Sequence, residues 1–162
     1  MEVQELGPDD WRIWRELRLA ALAEAPAAFS ARLADWQGEG DREERWRGRL
    51  SLAGSYNLVV RLDGVPVGMA SGIPADTGGD VELISMWVSP AARGRGIGDL
   101  LIARIAAWGA AAGAHRLVLA VVPDNGPARA LYRRNGFADT GEEGDLMPDG
   151  VHREVIMARP LP

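Results

Sequence analysis

One segment limits the possible folds more than any other. Asp80–Val88 is a long apolar run stopped by Ser89-Pro90, and it leads into Arg93-Gly94-Arg95-Gly96-Ile97-Gly98-Asp99. A helical pattern follows from about Gly98 to Ala112 and ends at Gly113. Strand, glycine turn and helix in this order predict an α/β arrangement in which the backbone reverses sharply. Three glycines in five positions let main-chain N–H groups approach a ligand, and a helix N-terminus adds partial positive charge. Arg93 and Arg95 add full charges. The place suits a phosphate or pyrophosphate, and the plainer alternative is a strand-to-helix turn with a close packing contact.

Two nucleotide motifs fail on inspection. A dinucleotide fingerprint starting at Gly94 needs glycine at position 99, which is Asp99. A P-loop needs a lysine, and all 18 basic residues are arginine. Cysteine is also absent, which excludes disulfides, thiolate metal sites and an acyl-enzyme on a thiol. His115 and His152 are the two histidines, too few for a histidine-based metal site, so no metal is expected.

The 162 residues suit one domain, 1–162, and the 47% hydrophobic and 25% charged fractions suit a soluble globular chain. A net charge of −5 argues against a nucleic-acid partner and favours cationic ones. Met1 to Asp10 carries four acids and no base, unlike a signal peptide. Ala103–Ala114 is too short to span a bilayer and is broken by Arg104, so no membrane association is expected and the location reads as cytoplasmic. Abundant alanine and arginine without lysine resembles the product of a GC-rich bacterial genome.

Periodicity supplies the remaining elements. Glu2–Leu6 reads as a strand. A helix starts at Pro8-Asp9-Asp10, carries Trp11, Trp14, Leu17, Ala21 and Leu22 on one face, and stops at Pro26. Arg42–Leu50 reads as a second helix. Asn57–Leu62 and Val65–Ile73 form a hairpin about Asp63-Gly64, with a loop over Pro74–Gly79. Arg116–Val122 reads as a buried strand and Asn125–Asn135 as a helix closed by Gly136. Phe137–Thr140 and Arg153–Ala158 read as strands around a loop at Gly141–Gly150. The order β-α-α-β-β-β-α-β-α-β-β predicts a mixed, partly parallel sheet with helices on its faces.

Two blocks carry a family resemblance. Leu83-Ile84-Ser85-Met86-Trp87-Val88-Ser89-Pro90 followed by Arg93-Gly94-Arg95-Gly96-Ile97-Gly98 resembles the acetyl-CoA-binding signature of the GNAT superfamily of N-acetyltransferases. Its Gln/Arg-x-x-Gly-x-Gly/Ala pattern is met by Arg93, Gly96 and Gly98. Leu119-Ala120-Val121-Val122, Asn125, Ala128, Leu131-Tyr132 and Asn135-Gly136-Phe137 resemble the family's second block. Together they cover about residues 80–140, and the element order fits the family over the whole chain.

The resemblance implies a set of roles. Met86, Trp87 and Val88 would offer main-chain groups to the pantetheine arm, with the Val88 N–H polarising the thioester carbonyl. Gly94, Arg95, Gly96, Ile97, Gly98 and Asp99 would wrap the pyrophosphate, aided by Arg93. Asn125 would hydrogen-bond the pantetheine. Tyr132 would lie near the thioester sulfur, its alternative being a core tyrosine. Asp99 is unusual beside a pyrophosphate, and its carboxylate is expected to turn away and cap the helix. The strand before Asn125 is wholly apolar, so the base is sought in Glu82, whose alternative is an ion pair with an arginine on the sheet surface. Glu82 and Ile84 are expected on one face, with Met86 following. Phe29, Trp36, Ser85 and Trp87 are candidates for the acceptor site.

The resemblance thus implies acetyl-CoA-dependent N-acetyl transfer to a primary amine, directly within a ternary complex. The acidic chain and Glu82 favour a small cationic amine as acceptor. Competing readings are acetylation of a protein N-terminus or lysine, and a regulatory acyl-CoA binder without turnover. Transfer to an alcohol, or of a longer acyl chain, is a third. A homodimer through the C-terminal strands is a further expectation drawn from the family. Without lysine of its own, the chain could label itself only at its N-terminal amine or a hydroxyl.

Overall fold

The computed structural model describes residues 1–29, 31–76 and 78–162. Seven strands form one sheet: β1 (Glu2–Leu6), β2 (Tyr56–Leu62), β3 (Val65–Pro74), β4 (Asp80–Val88), β5 (Arg116–Val121), β6 (Ala138–Leu146) and β7 (Arg153–Pro160). Their spatial order is β1-β2-β3-β4-β5-β7-β6. Every neighbouring pair is antiparallel except β4 and β5. That parallel pair needs a crossover, supplied by α3 (Ile97–Ala111). The other helices are α1 (Trp11–Glu24), α2 (Glu43–Leu50) and α4 (Gly126–Arg134). The expected mixed sheet with helices on its faces is the observed architecture.

Two cores form, one on each face. On one side α3 buries Ile97, Leu101, Ile102 and Ile105 against Val81 and Leu83 of β4 and Leu117 and Leu119 of β5. Truncating Leu101, which is 0% exposed, to alanine would cost about 2–5 kcal/mol. The close approach of α3 depends on small residues. A side chain at Gly72 would strike the Trp108 ring, and one at Gly109 would strike Val81. On the other face Trp14, Leu17 and Ala21 of α1 and Trp46 and Leu50 of α2 pack on Leu6, Val59, Met69 and Trp87. Asp41 ties these two helices together. Its carboxylate accepts from the Arg15 guanidinium and, at 2.8 Å, from the Trp46 indole N–H, which holds it down at about 2.

A bulge in β4 corrects one expectation. Met69 pairs with Trp87 but Ser71 pairs with Ile84, so one extra residue enters β4. Ser85 takes up the irregularity with φ +54°. The extra residue reverses the inside–outside alternation. Val81 and Leu83 face the α3 core, and after the bulge Met86 and Val88 face it too, while Trp87 joins the opposite core. Met86 therefore does not share the face of Glu82 and Ile84.

Three other regions differ from the sequence reading. Trp36 lies in a 3-10 turn, Leu33–Trp36, one of three short turns among the described residues between α1 and α2, with Pro26–Ala28 and Gly38–Gly40. Much of the loop expected over Gly141–Gly150 is strand, because β6 continues to Leu146. Its pairing with β7 is interrupted on both sides of Glu143, and its residues are mostly polar and exposed, so no apolar alternation marks it. An acidic, bulged edge strand is also a poor template for unwanted pairing. Of the loop expected over Pro74–Gly79, Pro74 belongs to β3 and Thr77 lies outside the described residues.

Candidate active site

β4 and β5 are joined at one end only. They pair from Asp80–Arg116 through Glu82–Val118 and no further. Arg116 clamps this end by donating to both carboxylate oxygens of Asp80, at 3.3 and 2.8 Å. Beyond Glu82 the strands lose register, and the rest of β4 faces Leu119–Val121 across a cavity of about 1110 Å³. Main-chain groups on this side of Leu83–Val88 have no strand partner, so a ligand can supply one. Such an opening lies at the carboxyl ends of the parallel pair, where open α/β sheets place ligands.

The glycine turn closes one end of the cavity. Gly94 and Gly96 both have φ +79°, and a side chain built on either would meet nothing within 4 Å. The conformation requires glycine, and the empty space above it is a cradle that a Cβ would begin to fill. Gly96 is also the residue that caps α3, and no side chain bonds the exposed amides of the first turn. Those amides point where an anion would be held.

Asp99 behaves differently from its expected role. Its carboxylate turns away, mainly toward α4, with its own main-chain amide a lesser partner. It accepts from Asn135 Nδ2 at 2.7 Å and from the Arg134 guanidinium at 3.2–3.3 Å. Asp99 therefore joins the start of α3 to the end of α4, and the Asn135 hydrogen bond holds its carboxyl below the ordinary value. Arg93 reaches back along β4, donating to the Val88 carbonyl at 3.0 Å and to Glu24 at 3.1 Å. Arg95 does not line the cavity, whereas Ile97, Gly98 and Asp99 do.

α4 brings two predicted residues to the opposite wall. Asn125 caps it, its Oδ1 accepting from the Ala128 N–H at 3.3 Å. The cap uses the acceptor and leaves the side-chain NH₂ for other partners. Tyr132 is 8% exposed and meets Phe137 edge-on at 5.8 Å. Burial alone pushes its phenol up to about 12. It is both a core residue and a cavity residue, so the two expectations for it are compatible.

Glu82 stands where β4 and β5 part. Among the described residues it has no ion pair, contrary to the arginine-paired alternative. Burial raises its carboxyl, and Asp76, Asp145 and Glu154 raise it further. Glu154 is itself raised by burial and then by Asp145. Asp145 and Glu154 also line the cavity and were not anticipated. Glu154 is a lone acid at the head of the apolar run Val155–Met157, which was the one available signal.

The far wall comes from α1, the turn after it and α2. Phe29, Ser85, Met86, Trp87 and Val88 line the cavity. Trp36 does not: it packs on Trp46, with ring centroids 4.6 Å apart, under the Arg45 guanidinium. Arg18 and Arg49 take its place. Arg49 donates to Asn57, Ser71 and Ser85, each at 3.1 Å, and lies over the Trp14 ring. Arg18 lies over the Phe29 ring, and its Nη1 is enclosed without a hydrogen-bond partner. Burial lowers both to about 10, with Arg18 lowering Arg49 further. Both sit on the apolar stripes of their helices, Arg18 four residues after Trp14 and Arg49 three after Trp46. A charge breaking such a stripe was the missed signal.

Comparison with known proteins agrees with this construction. Residues 13–137 match the model of the acetyltransferase (GNAT) family. A curated protein named IAA acetyltransferase, from Azospirillum brasilense, is 41% identical over 105 residues, 64% of this chain and 67% of that protein. The crystal structure of a GNAT-family acetyltransferase from Streptococcus pneumoniae superposes with a TM-score of 0.78, at 20% identity over 99% of both chains. PaiA N-acetyltransferase from Thermoplasma acidophilum, solved with coenzyme A, superposes at 0.75, with 18% identity over 98% of both chains. The chain belongs to the GNAT family of acetyltransferases. No helix among the described residues is long and apolar enough to cross a membrane, and none of their acidic and histidine side chains group to hold a metal.

Proposed function

We propose that this chain, acting as one unit over 1–162, transfers an acetyl group from acetyl-CoA directly to a primary amine. The observation that carries the reading is the splayed β4–β5 pair. One cavity brings together the glycine cradle, unpaired β4 main chain, Tyr132 and an unpaired Glu82. Acetyl-CoA supplies the electrophilic acyl carbon and a thiolate leaving group.

The residues divide the work. The turn at 94–99 and the first amides of α3 hold the pyrophosphate. The free edge of Met86–Val88 and the Asn125 amide hold the pantetheine arm. The Val88 N–H donates to the thioester carbonyl, where a fixed donor stabilises developing negative charge without reorganising. Glu82, its carboxyl raised by burial and by its acidic neighbours, takes the proton of the incoming ammonium directly or through water.

Tyr132 donates a hydrogen bond to the departing sulfur. A phenol near 12 facing a thiol near 8.5 would lose about 5 kcal/mol on full proton transfer. Its part is therefore stabilisation of the thiolate, and the net proton comes from the amine. With no cysteine there is no thiol to carry an acyl-enzyme, which favours direct transfer with both substrates bound.

Thiol release from acetyl-CoA in the presence of a panel of primary amines tests the reading. Release with at least one amine, and formation of the N-acetyl product, is expected. Tight acetyl-CoA binding without release for any amine would overturn it in favour of a non-catalytic binder.

A further inference from the structure

Arg18 and Arg49 have no part in the chemistry proposed above, yet they occupy the wall of the same cavity. Several other arginines find carboxylates, Arg15 with Asp41, Arg47 with Asp9, Arg116 with Asp80 and Arg134 with Asp99. Among the described residues Arg45, Arg61 and Arg159 do not but lie outside the cavity lining, whereas Arg18 and Arg49 line it and have none. Neutral oxygens of Asn57, Ser71 and Ser85 satisfy Arg49 donors without cancelling its charge. Arg18 leaves one enclosed nitrogen unbonded. The nearby carboxylate of Glu24 is already shared by Trp87 and Arg93. Two half-buried like charges without a counter-ion are costly to a fold, so an arriving anion would relieve a cost already present.

A second charged group in the cavity has the opposite sign. Glu82, Asp145 and Glu154 gather at the base of the β4–β5 split. Glu82 and Ser85 lie three residues apart on β4, and Arg49 touches Ser85. At most about 10 Å of strand separates the two β4 positions, and the bulge at Ser85 shortens it. A small molecule with an amine at one end and an acid a few bonds away matches that span.

We propose that the acceptor is an amine that also carries an oxyanionic group, a carboxylate or phosphonate, seated on Arg18 and Arg49 with its amine toward Glu82. This rests on the acetyltransferase reading and deepens it. It replaces the expectation of a purely cationic amine with a zwitterion. The arginines determine specificity and orientation: a guanidinium pair binds an oxyanion with paired N–H groups, which a neutral amide cannot answer. Stacking on Phe29 and Trp14 keeps both guanidinium planes fixed, so little order is lost on binding.

The test compares ω-amino carboxylates from glycine to 6-aminohexanoate, and the matching aminoalkyl phosphonates, each beside its uncharged amide or ester. Thiol release gives kcat/KM for each pair. The acid-bearing member is expected to win by about ten- to a hundredfold for at least one chain length, mostly in KM. The more favoured acid identifies the oxyanion. Arg18→Gln and Arg49→Gln are expected to bring the ratio toward one, and Arg49→Lys to restore part of it. Equal kcat/KM for acid and neutral partner throughout the panel overturns the proposal, even if the variants do not fold. So does a loss of acetyl-CoA affinity in the arginine variants with the ratio unchanged, which would assign them to the donor. If no amine releases thiol, the acetyltransferase reading fails separately. Calorimetry of the same pairs on the acetyl-CoA-loaded protein then decides the arginines, with equal or absent binding of acid and amide counting against them.

Discussion

Along the wall formed by β4, the glycine turn and the start of α3, the groups offered to the cavity are mainly main-chain atoms. Along the wall formed by α1, α2 and β7 they are charged side chains: Arg18, Arg49 and Glu154, with Glu82 at the junction. The first wall is set by local backbone conformation, two left-handed glycines and an uncapped helix start. The second is set by which faces of two helices and one strand the fold happens to bring together. A main-chain wall binds one invariant ligand, because its donors change little with side-chain identity. A side-chain wall is where relatives of one fold can diverge in substrate. That difference also explains why the donor was easier to read than the acceptor.

The sharpest way to break the comparison is at Gly96. A β-branched residue cannot adopt φ +79° cheaply, and its side chain would enter the cradle. Gly96→Val is expected to weaken acetyl-CoA binding by about a hundredfold or more, measured by calorimetry. Unchanged affinity would show that the turn is only a turn.

Next comes Tyr132→Phe. It keeps the packing against Phe137 and removes the hydroxyl, so kcat is expected to fall by about a hundredfold with acetyl-CoA affinity little altered. An unchanged rate would leave Tyr132 as core alone.

Glu82→Gln is expected to cost roughly tenfold in kcat/KM near neutral pH and to remove the acid limb of the pH profile. The sign follows from its raised pKa: Glu82 becomes a base only above that raised value, so activity of the parent falls as pH drops through it. The same shift costs stability in the opposite sense. The folded state holds this proton more tightly than the unfolded chain, so stability falls as pH rises from the ordinary carboxylate value through the raised one. Glu82→Gln should therefore raise the melting temperature at neutral pH and not at pH 4. A lowered melting temperature at neutral pH would show that the carboxylate is structurally satisfied.

Asp41→Ala sharpens the comparison from the side-chain wall. It unties α1 from α2, which carry the two unpaired arginines, and should cost about 1–3 kcal/mol in chemical denaturation. In the parent, that contribution is present above the ordinary aspartate value and is lost as pH falls through about 2. Acetyl-CoA affinity, set on the other wall, should hardly move. The smallest effect is expected at Asp99→Ala. Since Arg134 and Asn135 already hold the carboxylate away from the turn, acetyl-CoA affinity should change less than about tenfold. A larger gain would mean that Asp99 repels the ligand after all.

The order of elements, the hairpin at Asp63-Gly64, the glycine turn and the helix beginning near Asn125 were legible because each rests on local preferences. Apolar spacing and turn chemistry state them within a few residues. β6 was misread because an exposed, bulged edge strand has no apolar alternation to display. Trp36 was misplaced because an aromatic in a loop can pack on any neighbour, and the neighbour was Trp46. The face of Met86 was misread because one inserted residue at Ser85 inverts everything after it, and no sequence pattern marks that insertion.

The sequence by itself determined a backbone: where it turns left-handed, where its helices begin and end to within a few residues, and which strands are apolar enough to be buried. It also determined what chemistry is impossible, since no cysteine or lysine is present to carry an acyl group. Only the tertiary structure decided which charges meet. Arg18 and Arg49 lie on different helices, and Glu82 and Glu154 on different strands, so their proximity follows from long-range packing of α1 and α2 on one face of a sheet whose central strands part beyond Glu82. Local preferences act over a few residues, whereas the field inside the cavity is the sum over groups distant in sequence, and that sum exists only once the chain has folded.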